Sequence, residues 1–319
     1  MAHFHESQEA RKDISRDFQQ LLEEQQRTKR LAVIDRLSIE STWKTQHREI
    51  RELRLRIPQT TRWIYEEPAM ISWLEGGEPR SRISWLRGIP GAGTSSPGHP
   101  PDLIFQHFDY QLANIHKGKT VIFNSIIHEI CDKRSGVQVL YFYCKYNEPL
   151  RSNSAEIAKG LILQVLEQNP NCVDFIYESI LKSGSKDSSI YVPMLKEILM
   201  THDSLYVGLD GLDECPEQDR KILSDLITAI SAEENSRIGV RTLVTSRKEK
   251  DLEKWLSSAA ILDIKPQNLE NDITAYVRME VSQLSRTFSL SSEREEIVAR
   301  EICTRPQGKR HTSTNSSIN

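Results

Sequence analysis

From Ile83 onward the chain alternates short apolar, β-branched runs with segments of helical period, and no other feature constrains its fold as strongly. "RISWLRGI" reads as a short apolar strand and "TVIFNSIIHEICDK" has helical spacing. "VQVLYFYCKY" is β-branched and aromatic, a buried strand by composition. "SNSAEIAKGLILQVLEQ" is a helix with Ser152 or Ser154 as candidate cap. "DSLYVGLDGLDEC" is an apolar strand running into carboxylates. The helix "EQDRKILSDLITAISAEE", the strands "RTLVTSR" and "AAILDIKP" and the helix "NDITAYVRMEVSQL" follow. Strands separated by helices at this spacing predict the α/β class: a parallel sheet flanked by helices on both faces.

Ahead of this region, residues 6 to 57 are polar and rich in Glu, Gln, Arg and Lys. Ile14, Phe18, Leu21 and Leu22, then Leu31, Ile34 and Leu37, follow helical spacing, which predicts one or two amphipathic helices or a short coiled coil forming a solvated N-terminal extension. Arg48, Arg51, Arg54 and Arg56 cluster at its end, as a solvated face or as a contact for an acidic partner, and Pro58 closes it. The expected organisation is therefore a helical extension over 1–57, an α/β domain over 58–260, the start of a helical module over 261–308 and a disordered tail over 309–319, where "KRHTSTNSSIN" has no core-forming pattern. A net charge of -3 gives no general pull toward nucleic acid or anionic membrane. No apolar run approaches a membrane span, and the first residues lack the apolar region of a signal peptide. Five cysteines, odd in number and without paired metal spacing, predict free thiols and a cytoplasmic location.

Three stretches carry chemistry. "GIPGAG", from Gly88, is the front of a phosphate-binding loop and "GKT", Gly118 to Thr120, is its back, with the 24 residues Thr94 to Lys117 between them. Such a loop works because consecutive backbone N–H groups, freed by glycines, point at phosphate oxygens at a helix N-terminus. Its Lys neutralises the terminal phosphates and the next hydroxyl helps hold Mg²⁺. Without the insert the chain reads "SWLRGIPGAGKTVIFNSII", a complete loop in which Gly88, Gly91, Gly93, Gly118, Lys119 and Thr120 would hold the nucleotide. In "LYVGLDGLDEC" a strand ends in Asp210, placed at the sheet's C-terminal edge to hold Mg²⁺, and Asp213 or Glu214 could polarise the attacking water. In "RTLVTSR", Arg247 stands just past the next strand, where its guanidinium can sense a γ-phosphate.

Together these pieces resemble the NACHT domain of the STAND class of P-loop NTPases, and are most similar to fungal NACHT proteins with a nephrocystin-like N-terminal module, related to NOD-like receptors and heterokaryon incompatibility. The family's "WLHGIPGAGKT" is similar to "WLRGIPGAG" plus "GKT". Its "DALDEC" resembles Asp210 to Cys215, and its "TSR" Thr245 to Arg247. Upstream, "TTRWIYEEPAMISWL" resembles the family's "TGxWLL…FxxWL", with Trp63 and Trp73 at the aromatic places. The resemblance covers about residues 58 to 308. It implies a signalling switch that binds ATP or GTP with Mg²⁺, hydrolyses it slowly and repacks the helical modules that follow. It implies partners beyond the nucleoside triphosphate as well: self-association, or full-length NACHT relatives. The chain departs from the family in the split loop and in stopping soon after "ICTRPQG", before an apolar helix and sensor repeats would follow.

Three accounts of the split compete. A natural insertion of this length costs roughly 3 kcal/mol in closure entropy, which the fold could survive while the contiguous N–H cradle could not. A shifted loop would start at Ala113 as "ANIHKGKT", after a strand "LIFQHFDYQL" that buries His107 and Asp109. A retained intron fits best: the insert is a whole number of codons, Gly93-Thr94 can be coded with a GT donor and Lys117-Gly118 with an AG acceptor. On that account nucleotide binding is impaired in this chain, and the competing function is a non-enzymatic interaction protein acting through its N-terminal helices and a degenerate core. The strand from Ile83 to Arg87 should stay central, beside the strand ending at Asp210, and a helix should start near Thr120.

Overall fold

The computed structural model describes residues 2–37, 42–57, 60–75, 82–88, 118–134, 136–182, 187–232 and 239–304. Two helices lead, α1 (Ala2–Leu37) and α2 (Thr42–Arg56), followed by α3 (Pro68–Glu75). Strand and helix then alternate: β1 (Ile83–Gly88), α4 (Gly118–Lys133), β2 (Gln138–Tyr143), α5 (Ser154–Gln168), α6 (Val173–Tyr177), α7 (Tyr191–Leu199), β3 (Ser204–Asp210), α8 (Glu217–Ile230), β4 (Gly239–Arg247), α9 (Lys250–Trp255) and β5 (Ala260–Ile264). The long α10 (Pro266–Phe288) and α11 (Ser292–Thr304) close the described chain. The expected strand–helix alternation is thus present, while α6 and α7 were not anticipated. The insert 94–117 and the tail 309–319 lie outside the described residues.

The five strands are parallel, in the order β2-β3-β4-β1-β5. This corrects one expectation. β1 is an inner strand, but its neighbours are β4 and β5, and β4 separates it from the strand that ends at Asp210. The chain leaves β1 through α4 to the far edge and fills inward through β3 and β4, so the two acid- and arginine-bearing strands lie side by side. Ile83, Trp85 and Leu86 are all buried, as a strand covered on both faces requires.

Packing follows side-chain size. Gly208 of β3 gives α4 its closest approach: a Cβ there would stand 2.7 Å from the Phe123 ring and 2.9 Å from Ile127. On α5, Gly160 does the same for Phe142, whose ring would lie 2.7 Å from an added Cβ. The cap of α5 is neither serine. Asn153 sits at the N-cap and its side chain accepts from the N–H groups of Ala155 and Glu156, because an amide oxygen one residue ahead of the helix reaches both free donors.

The helices read as a solvated extension divide. Residues 15 to 28 of α1 are exposed, including Phe18, Leu21 and Leu22. Val33 and Leu37, by contrast, join Trp43 and Ile50 of α2 in the main core. The docked face of α1 therefore runs through Val33 and Leu37, while Leu31 and Ile34, which the sequence pattern grouped with them, face out. A rotation of 100° per residue puts 33 and 37 on one side and 31 and 34 away from it. Beneath α2, His47, Asn124 and Tyr143 share a polar cluster: His47 Nδ1 lies 2.8 Å from Tyr143 Oη, and Asn124 donates to that same oxygen at 3.1 Å. At the other end, α10 and α11 form a small core of their own from Val277, Val281, Leu284, Val298, Ala299 and Ile302. Among the described residues no helix is long and apolar enough to cross a membrane.

Candidate functional site

The described ends of the split loop, Gly88 and the Gly118–Thr120 stretch, meet in space. Gly88 ends β1 and α4 begins at Gly118. A Cβ on Gly88 would stand 2.6 Å from Lys119 Nζ and 2.8 Å from its Cδ, so the lysine lies directly over a bare backbone. Its ammonium is thereby held at the C-terminal end of β1, beside the N-terminus of a 16-residue helix whose first N–H groups have no intrahelical acceptor. Gly91 and Gly93 lie outside the described residues.

Thr120 points from the first turn of α4 to β3. Its hydroxyl donates to Asp210 Oδ2 at 2.7 Å. The other oxygen, Oδ1, accepts from the Thr245 hydroxyl on β4, which in turn accepts the Gly211 N–H at 2.9 Å. Asp210 is only 4% exposed. Burial, the largest influence, pushes its carboxyl up to about 6, against the lowering effect of the two threonine hydroxyls. A hydroxyl and a carboxylate oxygen at one point of the sheet edge are the hard donors Mg²⁺ takes, so these residues fit that ion.

Beyond Gly211, which turns with φ 73 where a side chain would be strained, a short helical turn carries the next two acids. Asp213 is tied to Arg247: Oδ1 accepts the Arg247 N–H at 2.9 Å and Oδ2 lies 3.4 Å from its Nε. The guanidinium itself is more than half exposed. Gly88 and Arg247 are register partners across β1 and β4, which brings the arginine to the same edge as Lys119. Glu214 accepts the Tyr146 N–H at 2.9 Å, from the loop that follows β2. Thus Gly88, Gly118, Lys119, Thr120, Asp210, Asp213, Glu214 and Arg247, scattered over 160 positions (88 to 247), converge on one end of the sheet.

Sequence reasoning missed Thr245 as the partner of Asp210. The available signal was a hydroxyl inside an otherwise apolar strand, two residues before Arg247 and so on the same side of it. It also missed the turn at Thr61, whose N–H donates to Asp272 Oδ2 at 2.9 Å. Those residues are 211 positions apart, and nothing local marks them as a pair.

Sheet order, a helix opening at Gly118 behind β1, and a strand-end carboxylate bound to the first hydroxyl of that helix give the chain a fold like the core of P-loop NTPases. Comparison with known proteins agrees with the NACHT resemblance. Residues 113–247 match the family described as "Nephrocystin 3, N-terminal". The match holds Gly118 to Thr120, Asp210 and Arg247 and begins downstream of Gly88. The vegetative incompatibility protein HET-E-1 of Podospora anserina is 22% identical over 240 residues, 70% of this chain and 15% of that protein. The chain thus spans a minor part of that relative's length. Among solved structures, Cdc6p of Pyrobaculum aerophilum is 11% identical with TM-score 0.39, covering 76% of this chain and 52% of that one. A Walker-type ATPase of Pyrococcus abyssi is 12% identical with TM-score 0.38, covering 72% and 60%.

Proposed function

We propose that this chain is a NACHT-type nucleotide-binding switch module for ATP or GTP. The observation that carries the reading is the seating of Lys119 on Gly88 while Thr120 engages Asp210. Lys119 would meet the β- and γ-phosphates, with the N–H groups at the start of α4 adding positive potential. Thr120 and Asp210 would hold Mg²⁺, which supplies charge neutralisation to the phosphates when bound. Of the two acids after Gly211, Glu214 is the better candidate to orient a water, because both Asp213 oxygens face Arg247 whereas only Glu214 Oε2 is engaged, by the Tyr146 N–H. Arg247 would sense the γ-phosphate through charge-assisted hydrogen bonds. Hydrolysis would be slow, as a switch requires.

The interrupted cradle sets the affinity. Gly91 and Gly93 can offer contiguous N–H groups with Lys119 only when the intervening residues are gone, so binding by this chain should be weak. Calorimetry with ATP and GTP in Mg²⁺, on the full chain and on a version lacking Thr94 to Lys117, tests this. The shortened version should bind at least tenfold more tightly, the equivalent of about 1.4 kcal/mol. Equal affinities would sink the reading of the insert as disruptive. No binding by either would leave the alternative function: an interaction protein acting through its N-terminal helices, whose residues 15 to 28 are exposed, and a degenerate core, by self-association or with full-length relatives, in a cytoplasmic setting.

A further inference from the structure

Thr61 is a β-branched residue in the left-handed region, with φ 68 and ψ 0, and it is 3% exposed. A buried threonine seldom takes this conformation, and it persists only where surrounding contacts over-determine it. Two contacts do so. Its N–H donates to Asp272 Oδ2 of α10 at 2.9 Å, and its hydroxyl donates to Ser125 Oγ of α4 at 2.9 Å. The same Ser125 oxygen lies 2.9 Å from Tyr65 Oη. Three elements from distant parts of the chain therefore meet at one strained residue.

The location gives the contact a consequence. Ser125 stands seven positions after Gly118, two turns along the same face of α4. Leu269, three residues before Asp272 and on the same face of α10, lies over Gly118, 3.7 Å from where a Cβ would stand. So α10 meets the start of α4 through Leu269 over Gly118, and three residues later Asp272 is linked to Ser125, further along α4, through Thr61. The rest of α10 packs with α11 in a separate small core. The helical pair is thus attached to the nucleotide-binding sheet near its functional end, and Asp272 supplies a polar anchor there.

We infer that Asp272 is a positioning residue: its carboxylate holds the Thr60–Trp63 turn in its left-handed form and so seats the first turns of α10 on the helix that begins at Gly118. The link to ligand affinity rests on the nucleotide-binding function proposed above, whereas the anchor itself does not. The test uses the full chain and three changes. Asp272→Leu removes the acceptor, Asp272→Asn keeps an oxygen for the Thr61 N–H, and Thr61→Gly removes the strain that needs holding. Hydrogen exchange of the 60–66 and 118–124 segments and the affinity for Mg²⁺-ATP are read in each.

Asp272→Leu should speed exchange in both segments by about tenfold, the scale of one hydrogen bond to a charged group, and weaken nucleotide binding severalfold. Asp272→Asn should preserve most of the protection. In the Thr61→Gly background, Asp272→Leu should have little further effect, because glycine takes this conformation without help. Full loss with Asp272→Asn, or an undiminished effect of Asp272→Leu beside Thr61→Gly, would overturn the inference. If neither the full chain nor the version lacking Thr94 to Lys117 binds nucleotide, that proposed function falls and the exchange measurements alone decide on the anchor.

Discussion

At the scale of single residues, Asp210 and His47 make opposite demands on pH. Below pH 3.8 the Asp210 carboxyl is protonated folded or unfolded. Between 3.8 and about 6 the unfolded chain has released a proton that the folded chain keeps, so this residue's contribution to stability falls as pH rises through that window. His47 is held down to about 4, first by burial and then by the nearby His128, Arg51 and Arg54. Between about 4 and 6.5 the unfolded chain takes up a proton the folded chain refuses, so its contribution rises with pH. Asp210→Asn should therefore raise stability at pH 7.5 by up to about 3 kcal/mol. It should also leave a curve that climbs from pH 4 to 6.5 chiefly under His47, with the lowered His128 adding in the same direction and the raised Asp272 working against it. Denaturant melts across pH 4 to 8 check this, and Asp210→Asn should lose Mg²⁺-dependent nucleotide binding at the same time. Gly88→Ala makes the complementary point. Its added methyl would press on the Lys119 side chain at Nζ, Cδ and Cγ, a flexible chain that can swing aside, so stability should change by less than about 1 kcal/mol while the displaced ammonium costs nucleotide affinity. Glu214→Gln should mainly slow turnover. Hydrolysis at the unaltered rate would pass the water-orienting role to Asp213 or to neither.

At the scale of elements, β2 is an edge strand whose outward backbone groups are covered by side chains. Gln164 accepts the Tyr141 N–H at 3.0 Å and donates to the Tyr141 carbonyl at 2.8 Å. Gln168, one helical turn later, treats Val139 the same way at 3.3 and 2.9 Å. One turn of helix rises 5.4 Å, close to the two-residue repeat of a strand, so two glutamines four apart match two strand residues two apart. Gln164→Ala should cost about 2 kcal/mol by leaving a buried donor and acceptor without partners, and the double change with Gln168→Ala should open an edge that promotes association. Thermal melts and sizing by light scattering measure both. Gly208→Ala should cost about 1–3 kcal/mol more directly, since its methyl would press on Phe123 and Ile127 in the tight seam between β3 and α4. Neither glutamine was legible in the sequence. "GLILQVLEQ" shows helical period with two polar interruptions, and only the neighbouring strand reveals what they are for.

At the scale of the whole molecule, α1 and α2 are not one appendage. Removing residues 1–25 deletes only exposed side chains in the part described, and should shift the melting temperature by no more than a few degrees. Removing 1–57 also strips Val33, Leu37, Trp43 and Ile50 from the main core. It takes His47 from the Tyr143 and Asn124 cluster as well. Each buried apolar side chain lost forfeits about 2 kcal/mol, several times over, so this shorter chain should not reach a stable folded state. Expression of the two truncations, followed by circular dichroism and melting, separates a detachable extension from an integral layer.

The sequence alone determined the class of fold, because hydrophobic period and strand–helix alternation are local properties. It also marked residues that meet at the sheet edge, Lys119, Thr120, Asp210, Asp213, Glu214 and Arg247, because "GKT", "DGLDE" and "TSR" stand in short runs beside strand ends, while the role of Thr245 beside Asp210 became legible only in the fold. The placement of β1 between β4 and β5, the docked face of α1 and the anchoring of Thr61 by Asp272 were decided only by the tertiary structure. Each depends on which distant surfaces come into contact. Helical period alone allows more than one apolar face on α1, alternation alone does not order the strands, and a hydrogen bond across 211 positions leaves no trace in the residues around either end.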